Sequence, residues 1–366
     1  MSRKGKQRHR RYMRQHCALC GQKFGTMVLG STGYGVCHGC LSTAGKIAGT
    51  KPPKKQEAIS SEILTPLGIV AELNKSIIGQ DNAKSAISIA LWKQQLKAHG
   101  MRSVPRSTLL LHGPTGCGKT AIVKEAARIA ELPFIHFDAT SLSEAGYKGR
   151  DAADMVKDLV KAFEDHPRLA HGVIFIDEMD KLAARGSEQR AAYSQGTQHS
   201  LLRLIEGTDI RTEGKVIHTE DLLFIFGGAF SGIGPQVERR NPIGFGAQPA
   251  EKPFRNIDTE DFIAYGMEPE LMGRITQRVA LEPLSRDDLR RILLNAENSV
   301  LRQYQQFFRE QGMELQVASK RIEELLDEAM ATGSGARGLQ TAVENMVQPM
   351  LFRLAEKHVE SEEWIA

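Results

Sequence analysis

Apolar residues along this chain gather into short, nearly continuous runs that alternate with longer stretches of helical spacing. Four runs have strand length: 107–112 (STLLLH), 134–138 (FIHFD), 173–177 (VIFID) and 222–226 (LLFIF). A strand covered on one face alternates apolar and polar residues, whereas a strand covered on both is apolar almost throughout. The four runs therefore predict a sheet buried between two layers. Helical patterns lie between them, over 121–130 and 152–163 for example. Strand–helix alternation of this kind predicts parallel strands joined by helical crossovers, an α/β fold. After Pro283 the strands nearly vanish. Residues 287–308 and 322–331 read as amphipathic helices, and Gly333-Ser334-Gly335 interrupts the pattern before a further helix from Ala336.

The first sixty residues read differently. Residues 1–45 hold four of the five cysteines and many glycines, and 46–62 mix Pro, Lys, Ser and Gly with few large apolar side chains. The second stretch is the composition of a linker. The expected organisation is a small module over 1–45, a linker over 46–62, a large α/β domain over 63–282 and a small helical domain over 283–366. A length of 366 residues suits two or three domains. No window holds eighteen consecutive apolar residues, so no membrane span is expected.

The net charge of +4 is small but uneven: Arg3, Lys4, Lys6, Arg8, Arg10, Arg11 and Arg14 crowd the first fourteen residues without an acid. By charge alone this is a nucleic-acid arm, a docking segment or a solvated tail. Cysteine chemistry begins at Cys17, leaving little room for a cleavable leader, and there is no apolar signal core. A cytoplasmic protein is the simplest reading.

Cys17-Ala-Leu-Cys20 and Cys37-His-Gly-Cys40 form two CxxC hooks with sixteen residues between the inner cysteines. Four thiolates in this arrangement suit tetrahedral Zn²⁺, with two disulfides or an iron–sulfur cluster as the alternatives. So short a segment has no real core, and the metal has to supply much of its folding energy.

Gly113-Pro114-Thr115-Gly116-Cys117-Gly118-Lys119-Thr120 matches G-x-x-x-x-G-K-[ST], directly after an apolar strand and opening a helix. In such a loop consecutive backbone N–H groups curl around phosphates. Lys119 then reaches the β- and γ-phosphates of ATP, and the Thr120 hydroxyl ligates Mg²⁺. The strand ending in Asp177-Glu178 completes the pattern, with Asp177 near the metal and Glu178 polarising the attacking water. ATP hydrolysis follows from the two motifs together. Cys117, at a helix N-terminus, is either a thiolate open to modification or a small residue filling the loop.

With these motifs in place, the sequence resembles the ClpX family of AAA+ protein unfoldases, from the cysteine hooks almost to the C-terminus. The resemblance implies an AAA+ P-loop sheet, a small helical C-terminal domain and a treble-clef-like zinc module. Ile77-Ile78-Gly79-Gln80 resembles the segment that packs on adenine. Glu270-Leu271-Met272-Gly273-Arg274 resembles the stretch carrying an arginine finger, which completes a neighbouring subunit's site. Gly335-Ala336-Arg337-Gly338 resembles the sensor-2 motif, which implies nucleotide contact by Arg337. Ala145-Gly146-Tyr147-Lys148-Gly149 resembles the pore loop that grips a translocating polypeptide, with Lys148 where the family has an aliphatic residue. Ile243-Gly244-Phe245, in a Gly/Pro-rich stretch, resembles the loop that engages the peptidase ClpP.

The implied assembly is a homo-oligomer, a hexameric ring, that unfolds proteins for a ClpP-type peptidase and recruits substrates or adaptors through the zinc module. The loop after Thr208 is shorter than in the family, and the chain is expected to stop before the family's final strand. A stand-alone remodelling chaperone is the second reading. A DNA-associated ATPase ranks third, because no aromatic nucleic-acid platform accompanies the basic run.

Overall fold

The computed structural model describes residues 17, 19–20, 22, 27–29, 35–37, 39–40, 63–142, 151–184, 188–212, 214–233, 257–355 and 363–365. The chain falls into two compact units, Met1–Glu62 and Ile63–Ala366. In the first, strands β1 (Met27–Leu29) and β2 (Gly35–Cys37) pair antiparallel, Met27 opposite Cys37. The basic arm and the linker expected at 46–62 lie outside the described residues.

The second unit begins with helix α1 (Pro66–Ser76). Thr65 caps it by accepting the Gly68 N–H at 3.1 Å, and Pro66 occupies a first-turn position that needs no donor. Helix α2 (Asp81–Ala98) follows. The chain then alternates: β3 (Thr108–His112), α3 (Lys119–Ile129), β4 (Phe134–Asp138), α4 (Ala152–Ala162), β5 (Val173–Asp177) and α5 (Glu188–Glu206). A hairpin of β6 (Asp209–Thr212) and β7 (Lys215–His218) leads into β8 (Leu223–Gly228). Two short helices, α6 (Thr259–Tyr265) and α7 (Pro269–Arg274), precede β9 (Gln277–Ala280).

Five strands form one sheet in the order β4-β5-β8-β3-β9, and every pair is parallel. This bears out the expected α/β sheet, and side-chain alternation explains its two layers. Leu110, Ile174, Ile176, Phe224 and Phe226 enter one core cluster, while Leu109, Leu111, Val173, Phe175, Leu223 and Ile225 enter the other. Full burial of each such side chain is worth roughly 1.5–3 kcal/mol.

The fifth strand, β9, has no apolar run to announce it. It lies at the sheet edge with Gln277 exposed and only Val279 buried. The hairpin fills the segment after Thr208 with one inward pair, Ile210 opposite Ile217.

Past Pro283 the unit is mostly helical: α8 (Arg286–Leu294), α9 (Val300–Glu310), α10 (Ser319–Thr332) and α11 (Ala336–Ala355). Leu289, Leu293, Phe308, Leu326 and Val343 belong to its own core cluster. The single helix expected over 287–308 is two helices. Between them the Ser299 hydroxyl donates to the Leu293 carbonyl, and the Glu297 N–H reaches the Lys75 carbonyl at 3.0 Å. A contact with the end of α1 thus competes with helix continuation and wins. A further strand, β11 (Glu363–Ile365), pairs in parallel with β10 (Glu314–Gln316).

Candidate nucleotide site and cysteine cluster

Strand β3 is buried at every position, so the chain leaves the sheet at Gly113 and must turn sharply to enter α3. Gly116 makes that turn possible. Its φ is 75°, and a Cβ there would lie 1.8 Å from the Ser334 carbonyl oxygen, so no side chain fits. Lys119 is buried, its Nζ held 2.8 Å from the Gly113 carbonyl and 3.0 Å from that of Pro114.

Thr120 Oγ1 donates to Asp177 Oδ2 at 2.8 Å, joining the start of α3 to the end of β5. The other Asp177 oxygen accepts the Glu178 N–H at 2.9 Å. Hydroxyl and carboxylate oxygens side by side are hard donors of the type Mg²⁺ takes, and the donor set fits that ion. Glu178 is exposed and has a φ of 59°. A left-handed backbone at a residue with a Cβ costs roughly 1–2 kcal/mol and is characteristic of functional turns.

A cleft of about 280 Å³ lies over these groups. Thr115, Lys119, Thr120, Asp177 and Glu178 line one side; Ala336, Arg337 and Gln340, from the start of α11, line the other. The two sides touch through the Ala336 N–H, which donates to the Gly116 carbonyl at 3.1 Å. Sequence reasoning missed Asp180. Its buried carboxylate accepts the Ala229 N–H at 3.1 Å and so joins the end of β5 to the end of β8. The only sequence signal was a third acid after Asp177-Glu178.

The remaining nucleotide candidates are placed elsewhere. Ile77 is half-buried and Ile78 buried, and neither lines the cleft. Arg274 is on the surface at the end of α7, its Nη2 2.6 Å from Glu206 Oε1, and it does not line the cleft of its own chain. Cys117 is buried, and burial pushes its thiol up despite the nearby Lys119 ammonium. Of the two readings of Cys117, burial supports the small residue that fills the loop. Tyr147, Lys148, Ile243, Gly244 and Phe245 lie outside the described residues.

His112, next to the phosphate loop, is buried, edge-on to Phe262 at 5.4 Å, and its Nδ1 has no hydrogen-bond partner among the described residues. Burial first, then the Lys119 and Arg278 charges, bring its pKa from 6.5 to about 4. The folded chain holds the ring neutral while the unfolded chain protonates it near 6.5. Its contribution is therefore complete above that pH and is lost as pH falls toward 4. Denaturant unfolding at pH 5 is expected to show about 2 kcal/mol less stability from this group than at pH 7.5. His112→Asn should remove that part of the slope, and an unchanged slope contradicts the assignment.

In the first unit the four sulfurs of Cys17, Cys20, Cys37 and Cys40 lie within 4.8 Å of one another, and none is in a disulfide. Cys20 Sγ and Cys37 Sγ are 3.9 Å apart. Tetrahedral zinc at ~2.3 Å per bond requires an S···S separation of about 3.8 Å, so the cluster fits that ion. Backbone N–H groups already face the sulfurs: Cys37 donates to Cys17 Sγ at 3.2 Å and Cys40 to Cys37 Sγ at 3.4 Å.

Among known proteins, residues 104–278 match the AAA domain (Cdc48 subfamily), and residues 284–363 match the C-terminal, D2-small domain of ClpB protein. The chain is similar to the ATP-dependent Clp protease ATP-binding subunit ClpX of Azotobacter vinelandii, 32% identical over 92% of this chain and 86% of that protein. It is also similar to ATP-dependent Clp protease ATP-binding subunit ClpX 2 of Wolinella succinogenes, 32% identical over 93% of this chain and 91% of that one.

Proposed function

This chain belongs to the ClpX family of AAA+ ATPases, and from that membership we propose that it unfolds proteins with ATP and feeds them to a ClpP-type peptidase. The observation that carries the reading is the cleft in which Lys119, Thr120, Asp177 and Glu178 of the sheet-bearing part face Arg337 of the small helical part. A nucleotide there touches both parts, and its hydrolysis changes what holds them together.

Backbone amides of Thr115–Thr120 and the Lys119 ammonium take the phosphates. Thr120 and Asp177 hold Mg²⁺, which, when bound, neutralises charge on the phosphate oxygens. Glu178 polarises the attacking water, and Arg337 contacts the nucleotide from the helical side. In a homo-oligomeric ring, a hexamer, Arg274 reaches into the neighbouring subunit's site; its surface position and its absence from its own cleft support that role. Tyr147 and Lys148 grip the polypeptide in the pore, and Ile243, Gly244 and Phe245 dock the peptidase. The cysteine cluster holds one Zn²⁺, and its module recruits substrates or adaptors. None of the helices described is long and apolar enough to cross a membrane, and a cytoplasmic setting keeps the four thiols reduced for zinc.

Mixing inactive variants tests the shared site. Arg274→Ala and Glu178→Gln chains are each expected to lack ATP turnover. Randomly mixed in equal amounts, they should regain roughly one active site in four, because each supplies the group the other lacks across a head-to-tail interface. A mixture as inactive as its components contradicts a site completed by the neighbour.

A further inference from the structure

We propose that Gln80 is a positioning residue for ATP hydrolysis: it ties the phosphate loop to the chain leaving the sheet for the small helical part, and so sets where Arg337 stands over the cleft. The inference rests on the cleft assigned above.

Gln80 opens α2 with a φ of 60° and a ψ of 37°, a left-handed conformation unusual for a residue with a side chain. Its carbonyl accepts the Lys84 N–H at 3.0 Å as the first turn begins. Its side chain turns away from the helix. Nε2 donates to the Glu282 carbonyl at 2.8 Å and to the Cys117 carbonyl at 3.3 Å, while Oε1 accepts the Glu282 N–H at 3.0 Å. The side-chain amide thus pairs with both backbone groups of Glu282, as a neighbouring strand would, and holds the phosphate loop with its remaining proton.

The position of Glu282 gives these bonds their consequence. Leu281 N–H still bonds to the His112 carbonyl at 2.7 Å, in line with the sheet. Pro283, next in the chain, has no N–H to donate, so the run of ladder-like bonds through Leu281 and Glu282 is interrupted directly after Glu282. The phosphate loop is also held from the far side, where the Gly116 carbonyl accepts the Ala336 N–H. Consecutive loop carbonyls, Gly116 and Cys117, therefore reach the helical part by two routes, one direct and one through Gln80 and Glu282. Freeing the second route loosens the exit angle of the whole helical part and leaves the phosphate-binding amides in place.

The experiment compares full-length Gln80→Met, Gln80→Glu, Arg337→Ala, the Gln80→Met/Arg337→Ala double variant and Thr65→Ala. Steady-state ATP turnover is measured beside the affinity for a fluorescent ATP analogue. Met keeps the volume without the bonds, and Glu sets a carboxylate against two carbonyl oxygens. Both are expected to lower kcat about tenfold while affinity changes by less than about threefold. The double variant should be little slower than Arg337→Ala alone, since the two residues act through one placement. Thr65→Ala removes a helix cap without touching the loop and should keep the wild-type kcat. An unchanged kcat, a loss confined to affinity, or fully additive losses in the double variant overturns the proposal. Wild-type turnover in Arg337→Ala overturns the cleft assignment and the proposal with it.

Discussion

A Glu178→Gln protein is expected to bind ATP with near-normal affinity and to hydrolyse it at least about a hundredfold more slowly, the loss typical when a group that polarises water is removed. Binding survives because the phosphate loop and Lys119 are untouched and because Gln matches Glu in shape. The Asp177 oxygen that accepts the Glu178 N–H is served by the backbone, so the substitution leaves that bond in place. What disappears is the negative charge that the left-handed turn at Glu178 holds over the cleft. Phosphate release measured beside fluorescent-nucleotide binding separates the two effects. Turnover within tenfold of wild type would mean that another group activates the water. Asp177→Asn is a useful contrast, because it weakens the oxygen pair with Thr120 and affects binding together with turnover.

The second large effect concerns metal. Removing zinc with a strong chelator, or replacing Cys17 by Ser, is expected to unfold the first unit and leave the ATPase unit folded. The described ladder is only two strands of three residues, and structural zinc in such modules contributes on the order of 10–16 kcal/mol. Among the described residues of this unit, the buried apolar side chains are those of Cys17 and Cys37, two of the ligands themselves. The second unit carries three hydrophobic clusters of its own. One zinc released per chain, with fast amide exchange appearing over 27–37 and ATP turnover preserved, is the expected result. Slow exchange that survives the chelator would show that the ladder stands without metal.

The parts of this fold that were legible in the sequence are those built from contiguous residues. Apolar runs announced β3, β5 and β8, because central strands are covered on both faces and leave little room for polar positions. They also announced β4, an edge strand in which Phe137 is the buried residue. The phosphate loop and the acid pair were legible for a similar reason: each motif is local and needs particular residue types in order. The other edge strand, β9, and the hairpin were not. β9 buries one side chain, and the hairpin strands β6 and β7 contribute one inward residue each, so neither has a period to detect. The break in the helix over 287–308 was hidden because its cause is a backbone bond to Lys75, more than two hundred residues away. Asp180 and Gln80 escaped notice as linking residues for the same reason. Their partners are backbone groups of Ala229, Glu282 and Cys117, and backbone groups leave no mark in a sequence.

The central claim, an ATP-driven unfoldase serving a peptidase, is tested most directly by mixing the protein with a ClpP-type peptidase and following the breakdown of casein, a loosely folded substrate. The account predicts breakdown that requires ATP and is lost both in Glu178→Gln and in a protein lacking residues 243–245. Steady ATP turnover without any loss of casein would contradict it and leave a motor that remodels proteins without a peptidase.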